Sequence, residues 1–199
     1  KGKKISWPNN AKLALQIVLN YEEGGESCIL NGDKYSETFL SEIIGAKAIK
    51  GRHISMESIY EYGSRAGFWR LDKLFKEKKI PVTIFGVALA LKQNPEVCEA
   101  IKTGDYEIAA HGYKWIDYQE VKKSVEKKHM QQAIKIIKGI FGSRPQGWYT
   151  GRCGPNTRDL IFEEGGFLYD SDSYSDDLPY WEYRGKKKQL IIPYTLDNN

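Results

Sequence analysis

The fold is decided by the stretch Leu13-Ala-Leu-Gln-Ile-Val-Leu19, which runs directly into Asn20-Tyr-Glu-Glu23. The stretch is a nearly continuous apolar run rich in branched residues, as expected of a strand that is covered on both faces. Pro81-Val-Thr-Ile-Phe-Gly-Val87 has the same character, and proline is acceptable as the first residue of a strand. Two such strands separated by a helical pattern predict a parallel sheet.

Strand-like and helix-like patterns alternate through the rest of the chain. Further strands are predicted at residues 106–110, 146–149, 167–169 and 190–194. Helices are predicted at residues 57–78, from Asn94 to Gly104, from a capping-box pattern at Asp117 and Glu120 to Phe141, and at residues 156–164. This order predicts an α/β protein built from right-handed βαβ units, and both a doubly wound open sheet and a barrel related to the TIM barrel fit it. No Gly-x-Gly-x-x-Gly follows the first strand, which disfavours the nucleotide-binding form of the open sheet.

One interval does not fit a compact α/β unit. Between Tyr21 and Glu57 lie 35 residues rich in Gly, Ser and charge, where α/β loops usually need about 2 to 6. A long loop at the end of a strand is more often functional than idle. We therefore expect this excursion to contribute to a site.

Composition describes an ordinary globular chain of 199 residues, best read as one domain over 1–199, and it excludes a disordered or fibrous protein. The formal net charge of +4 is only mildly basic, and the Lys clusters lack interleaved aromatics, so no nucleic-acid partner is expected. No run reaches the roughly 18 apolar residues of a membrane span, so no membrane partner is expected. Cys28, Cys98 and Cys153 are odd in number and far apart, which favours a reducing compartment and a cytoplasmic location.

The residues that follow the predicted strands indicate where chemistry would occur, because ligands collect at the C-terminal ends of parallel strands. The candidates are the pair Glu22-Glu23, His111, the loop Tyr149-Thr-Gly-Arg152 and the run Asp170-Ser-Asp-Ser173. Each also has a structural reading: adjacent Glu are most often solvated, a lone His is usually structural, Arg152 can bridge a carboxylate, and Asp-Ser-Asp-Ser can cap its own turn. No Gly-x-Ser-x-Gly elbow and no P-loop is present, which disfavours a serine hydrolase or a nucleotide phosphatase.

Taken together, these motifs resemble the polysaccharide deacetylase (NodB-homology) superfamily, and within it most closely the cofactor-independent allantoinase subgroup. The runs that carry the resemblance are residues 20–26, 56–65, 111–118, 147–152, 169–174 and 176–181. The resemblance implies a distorted (β/α) barrel that hydrolyses non-peptide C–N bonds of a small-molecule substrate, and it allows a homo-oligomer. About six strands are visible, whereas a TIM-type barrel has about eight strands and 250 residues. We therefore expect the barrel to be incomplete at the C-terminus, where the chain stops at Asn199.

The sequence also departs from the family's pattern. Typical members begin Thr-Phe-Asp-Asp-Gly and bind a divalent metal through the second Asp and a His-x-x-x-His motif, whereas this chain has Glu22-Glu23 and carries Trp115 in place of the second His. A zinc site needs three protein ligands and an open position. Glu23 and His111 supply only two, so we expect no cofactor, with zinc held by those two residues as the alternative.

Hydrolysis of an amide needs a base for water, a stabiliser for the oxyanion and an acid for the leaving nitrogen. In the light of the resemblance we expect Glu22 as the base, Glu23 to orient His111 or the substrate, and His111 as acid or oxyanion donor. The expected substrate-binding residues are Trp115 and Tyr149 as walls, Arg65 and Arg152 for carbonyl oxygens, and Asp172.

Three functions remain open from the sequence. The first is opening of a cyclic amide such as allantoin, which would place the protein in purine degradation. The second is metal-dependent N-deacetylation of peptidoglycan or chitin fragments. The third is an inert carbohydrate-binding barrel, in which the Tyr and Trp side chains would stack on sugars.

Overall fold

The computed structural model describes residues 6–195, so the ends of the predicted domain, residues 1–5 and 196–199, lie outside the described residues. A seven-stranded sheet has the order β1-β2-β3-β4-β5-β7-β6. All neighbouring strands are parallel except β6 and β7, which form an antiparallel hairpin. The strands are β1 Ile17–Tyr21, β2 Val82–Gly86, β3 Glu107–Ala110, β4 Gly147–Trp148, β5 Tyr169–Asp170, β6 Tyr180–Arg184 and β7 Lys187–Ile191.

Helices connect the strands in the order expected of βαβ units. They are α1 Ile54–Tyr62, α2 Phe68–Lys78, α3 Ala88–Gln93, α4 Pro95–Thr103, α5 Lys123–Phe141 and α6 Thr157–Glu164. The α/β class with a parallel sheet is therefore confirmed. Over residues 6–195 the sheet is open, because β1 and β6 remain as separate edges, so closure into a barrel is not found in this part of the chain.

The first strand begins four residues later than the sequence predicted. Ile17 pairs with Val82, the first residue of β2, so no neighbouring strand extends to meet the residues before Ile17. Leu13 and Leu15 are accordingly 73% and 78% exposed. The apolar run was a correct signal for a strand, but the length of its partner sets where pairing starts.

The edge strand β6 was not predicted. It turns into β7 through Gly185 and Lys186, with Gly185 at φ +58°. A glycine in a two-residue connection is a hairpin signal, but the basic run that follows it reads as a solvated surface. The strand lies at the sheet edge, where a charged and largely exposed strand is tolerated.

Two helix predictions need correction. Asp117 and Glu120 do not form a capping box: Asp117 Oδ1 accepts a hydrogen bond from the backbone N–H of Gln119 in a local turn, and α5 begins only at Lys123. The long helix predicted from Glu57 starts three residues earlier, at Ile54, and is interrupted between α1 and α2 by one π-helical turn, Gly63–Gly67. The short helix α3 was also missed, because its apolar residues continue the pattern of the preceding strand.

The excursion after β1 has little regular structure. Between Tyr21 and Ile54 it contains one 3-10 turn, Ile29–Asn31, and an isolated bridge between Ser36 and Ile49. Its path is fixed instead by side chains bonded to the backbone. For example, Ser36 Oγ donates to the carbonyl oxygen of Gly51 at 2.6 Å.

The core lies on both faces of the sheet. One cluster packs the helices against it and includes Ile84, Leu91 and Ile137, all at most 1% exposed. A smaller cluster on the opposite face contains Phe85 and Tyr149. No helix within residues 6–195 is long and apolar enough to cross a membrane.

Candidate active site

The polar residues that follow β1, β3 and β4 meet at one edge of the sheet. They line a cavity of about 530 Å³ together with side chains from the excursion and from α1, a size within the usual range for small-molecule sites. Its lining consists of Asn20, Glu22, Glu23, Phe39, Leu40, Ile59, Tyr60, Tyr62, Gly63, His111, Trp115, Tyr149, Gly151, Arg152 and Tyr174.

A buried histidine contacts a carboxylate at the base of this cavity. The two atoms are His111 Nε2 and Glu22 Oε1, 3.0 Å apart. The His111 side chain is only 2% exposed, its backbone N–H donates to the carbonyl oxygen of Gly86 at 2.9 Å, and its ring lies edge-on to Tyr149 with centroids 4.8 Å apart. The end of β3 and the neighbouring strands therefore fix the imidazole before any substrate arrives.

The surroundings of His111 favour one protonation state. Its Nδ1 atom is buried and has no hydrogen-bond partner among the described residues. An imidazolium would leave a buried N–H donor unsatisfied there, which is costly, whereas the neutral Nε2–H form leaves only a lone pair. A proton on Nε2, the nitrogen that faces Glu22 Oε1, is therefore the arrangement that these surroundings favour.

Glu23 points away from His111. Its Oε2 accepts the backbone N–H of Glu22 at 3.0 Å, and its side chain packs against Gly63 in the π-helical turn. Burial raises the pKa of this carboxyl from its ordinary value of 4.5 to about 7. His111 is thus contacted by Glu22. Glu23 was expected to orient either His111 or the substrate, and of these two roles only contact with the substrate remains open.

Trp115 and Arg152 form a stacked pair at the side of the cavity. The Arg152 guanidinium carbon lies 3.7 Å from the centroid of the Trp115 ring. Phe39 also contacts Arg152, with its ring centroid 4.5 Å from the guanidinium carbon, and Arg152 Nη1 lies 3.7 Å from Glu37 Oε2. The structure therefore brings both predicted residues to the cavity and adds Phe39 and Glu37, which the sequence did not single out.

Tyrosines form the opposite wall. The Tyr149 and Tyr174 hydroxyls are 3.2 Å apart, and the Tyr149 and Tyr194 rings stack with centroids 4.7 Å apart. Asn20 Nδ2 donates to the Tyr194 hydroxyl at 3.1 Å. Tyr149 and Tyr174 line the cavity, and Tyr194 packs behind Tyr149. Tyr149 was expected there, whereas Tyr174 and Tyr194 lie in segments that the sequence singled out without giving either side chain a role.

Asp172 does not reach the cavity, contrary to expectation. It is buried below the loop after β4, and its carboxylate accepts the backbone N–H groups of Thr150 at 2.8 Å and Gly151 at 2.9 Å. Gly151 adopts φ +75° and lies against the His111 ring, where a Cβ would come within 3.2 Å of Cε1. The carboxylate therefore fixes the loop that carries Arg152, and Asp172 is not among the residues that line the cavity.

Arg65 is also not brought to the site. Its side chain is 73% exposed, and its Nη1 pairs with Glu61 Oε1 at 3.1 Å on the surface of the helix. The π-helical turn changes the direction of the residues that follow α1, which the sequence pattern could not show. The predicted role in binding a carbonyl oxygen therefore does not fit its position.

The donors needed for the family's metal site do not converge. Among residues 6–195 no group of three or more His, Cys, Asp and Glu side chains could hold a metal ion. His111 Nε2 is engaged by Glu22, Glu23 is turned toward Gly63, and Trp115 offers an aromatic face on which the Arg152 cation lies. The residues present do not fit a three-ligand zinc centre.

A larger groove of about 800 Å³ lies elsewhere, between α4 and α5. Within its lining, Lys102 and Glu99 form an ion pair at 3.6 Å on one helix face. It contains no histidine–carboxylate contact, so the smaller cavity at the strand ends is the candidate active site.

Comparison with known proteins places the chain among polysaccharide deacetylases. Residues 50–161 match the family described as "Polysaccharide deacetylase". A Schizosaccharomyces pombe protein described as "Putative polysaccharide deacetylase" is 40% identical over 97% of this chain and 66% of its own length.

Two crystal structures are similar over nearly the whole chain. One is a "probable Polysaccharide deacetylase from Pseudomonas aeruginosa PAO1", 59% identical with a TM-score of 0.92, and the other is PuuE allantoinase, 58% identical with a TM-score of 0.93. Each match covers 97% of this chain and 65% of the other chain. The chain thus spans slightly less than two thirds of the length of these relatives.

Proposed function

This chain belongs to the polysaccharide deacetylase family, and on that premise we propose that it hydrolyses a non-peptide C–N bond, opening a cyclic amide such as allantoin. The observation that carries the proposal is the 3.0 Å contact between Glu22 and the buried His111 at the end of a small-molecule-sized cavity. The 58% identity to a structure named as an allantoinase supports the choice of substrate.

In the proposed reaction, water attacks the amide carbonyl carbon. Glu22 takes a proton from the water, the carbonyl π electrons move onto oxygen, and a tetrahedral intermediate forms. Collapse of the intermediate breaks the C–N bond, and the nitrogen receives the proton that Glu22 took from the water. One amide and one water thus give one carboxylic acid and one N–H, with no other reactant.

Charge that develops on the carbonyl oxygen needs hydrogen-bond donors near the reacting carbon. His111 Nε2–H is one such donor, since it already lies beside the base. Arg152, which lines the same cavity, is a cation that can bind another carbonyl oxygen of the substrate, away from the reacting carbon. The reaction as written uses only side chains of this chain.

The alternative is metal-dependent N-deacetylation of an acetylated polysaccharide, which the family description favours. That reading needs a third metal ligand beyond Glu23 and His111, from water or from another residue. The stacking of Arg152 on Trp115 argues against it, because it brings a positive charge to the side of the cavity where the ligand would lie. An inert carbohydrate-binding barrel is the third reading, and it predicts that loss of Glu22 has no effect on turnover.

The proposed roles are tested by replacing Glu22 with Gln. Glu22→Gln keeps the size of the side chain and removes the base, so we expect kcat for allantoin to fall by about 10²- to 10⁴-fold. Glu61→Gln is the matched control, since Glu61 pairs with Arg65 on the exposed face of α1, and it should leave kcat unchanged. Equal activity of the two variants would remove Glu22 from the mechanism.

A further inference from the structure

The Arg152 guanidinium is held in place without a hydrogen bond to any group among residues 6–195. Its side chain is 25% exposed, its Nη2 atom is buried without a partner among the described residues, and its nearest carboxylate oxygen, Glu37 Oε2, is 3.7 Å away. A guanidinium carries five N–H donors, and a buried polar group that remains unpaired requires an explanation. Because Arg152 lines the candidate cavity and a quarter of its side chain is exposed, its accessible N–H donors can meet an acceptor on a ligand.

Aromatic faces replace hydrogen bonds in fixing this cation. The guanidinium carbon lies 3.7 Å from the centroid of the Trp115 ring and 4.5 Å from that of Phe39, and the two rings meet edge to face with centroids 5.7 Å apart. Trp115 is itself fixed, since its backbone N–H donates to the carbonyl oxygen of Gly25 at 2.9 Å and its ring meets the edge of Tyr60 at 6.1 Å. The two rings thus pack against the guanidinium from directions about at right angles to each other, which fixes its position.

Glu37 fixes the segment that carries Phe39. Its Oε1 accepts the backbone N–H groups of Thr38 at 2.7 Å and Phe39 at 2.8 Å, and its own N–H donates to the carbonyl oxygen of Ser27 at 2.7 Å. Its second oxygen faces Arg152. One carboxylate therefore builds the turn and orients the cation.

The charges around the cavity select the kind of acceptor. Glu22 and Glu23 line the same cavity, and Glu37 faces the same guanidinium. An anionic ligand would enter a site that already holds carboxylates, whereas a neutral carbonyl oxygen gains a donor without that repulsion.

We propose that Phe39 and Glu37 are specificity-determining positioning residues, which hold the Arg152 guanidinium as a fixed donor for a neutral carbonyl oxygen of an amide or ureide substrate. The identity of the substrate rests on the proposed function. The aromatic clamp, which is the contact of the Trp115 and Phe39 rings with the Arg152 guanidinium, does not rest on it. Neither residue touches the reacting pair Glu22 and His111, so loss of the clamp should weaken substrate binding and leave the chemical step unchanged.

The clamp itself is tested without any turnover. In ¹⁵N-labelled protein the Arg152 Nε–Hε resonance, assigned by its absence in Arg152→Lys, should be sharp in the original chain and in Phe39→Trp. It should broaden in Phe39→Leu, which keeps an apolar side chain but removes the ring. Ile44→Ala is the control, because Ile44 is fully exposed on the same loop. An unchanged Arg152 resonance in Phe39→Leu would overturn the clamp.

Steady-state kinetics with allantoin test the consequence for the substrate. Phe39→Leu and Glu37→Gln should each raise KM about threefold at constant kcat, the factor expected for one exposed cation–π contact or one partly exposed charge, and Phe39→Trp should restore KM. A fall in kcat at constant KM, or no change in either constant, would contradict the proposed role. If the original chain does not turn over allantoin at all, the proposed function fails, while the Arg152 resonance still decides whether the clamp exists.

Discussion

The contact between the π-helical turn and the site gives a prediction with an internal control. Gly63 and Gly67 are the first and last residues of that turn, and both have right-handed helical dihedrals. A Cβ on Gly63 would overlap the Glu23 side chain, whereas a Cβ on Gly67 would meet nothing closer than 3.6 Å, at Tyr62. Alanine fits the backbone dihedrals at both positions. The two variants therefore differ only in the atoms that the added Cβ meets.

Two opposing effects, helix propensity and overpacking, set the expected change in folding stability. Replacing a helical glycine by alanine stabilises by up to about 1 kcal/mol, and overpacking a filled site costs about 1–3 kcal/mol. Gly67→Ala should therefore be neutral or up to about 1 kcal/mol more stable, and Gly63→Ala should be about 1–3 kcal/mol less stable than Gly67→Ala. At about 2–4 °C per kcal/mol for a chain of this size, Tm should separate the two variants clearly.

The same substitution should also affect turnover. Glu23 is the flexible partner in the overlap, so Gly63→Ala should expel its carboxylate and break the hydrogen bond from the Glu22 backbone N–H. Displacing the loop that carries the base should lower kcat/KM by about 10- to 100-fold, with Gly67→Ala unaffected. Urea unfolding followed by circular dichroism and kinetics with allantoin measure both effects. Equal stability and equal activity of the two variants would refute the packing argument.

Three further predictions rest on other features. Burial raises the pKa of Glu23 from 4.5 to about 7. The stabilising contribution of the protonated carboxyl group is therefore complete below pH 4.5 and is lost as the pH rises through 7. Glu23→Gln should exceed the original chain in stability by about 2–3 kcal/mol at pH 8 but not at pH 4, as measured by urea unfolding at both pH values. Gly147→Ala would overlap the Tyr169 ring and should destabilise by about 1–3 kcal/mol, while Gly139→Ala, with open space around it on α5, should be neutral or slightly stabilising; a thermal melt that ranks them the other way would be inconsistent with the packing of β4 on β5. Exhaustive dialysis against a chelator should leave allantoin turnover unchanged, and loss of turnover that zinc restores would favour the metal-dependent alternative.

The strands were predictable where burial on both faces imposes a continuous apolar run. β2 and β3 were found within one residue of their predicted bounds because their apolar residues and their partners coincide. The start of β1 was not, because it depends on the length of β2, which local sequence does not encode. The open edge at β6 was missed because an edge strand carries charged and exposed residues that read as surface.

Part of the site followed from topology alone. Glu22 and His111 are 89 residues apart in sequence. Glu22 follows β1 and His111 follows β3, and these two strands flank β2 and end at the same edge of the sheet, so their contact was foreseeable from the order of the strands. Which of the two adjacent carboxylates contacts His111 was not, since the directions of these side chains depend on tertiary packing, such as that of Glu23 on Gly63. Arg65 was misplaced for the same reason.

The remainder of the site comes from the excursion. Phe39 and Glu37 lie in a segment without periodicity, where side chains bonded to the backbone decide the path. The length of the segment predicted that it would contribute to a site, but sequence offered no way to choose among its residues. Asp172 shows the opposite situation. It lies in a motif that resembles the family's, yet its carboxylate accepts a hydrogen bond from the backbone of a neighbouring loop.

The account is tested most directly by measuring turnover of allantoin and of an N-acetylated oligosaccharide side by side, each with chelator and with added zinc. We predict ring opening of allantoin that is unaffected by chelator, abolished in Glu22→Gln, and unaccompanied by acetate release from the oligosaccharide. Zinc-dependent release of acetate, with allantoin left intact, would contradict the proposal that Glu22 and His111 open a cyclic amide.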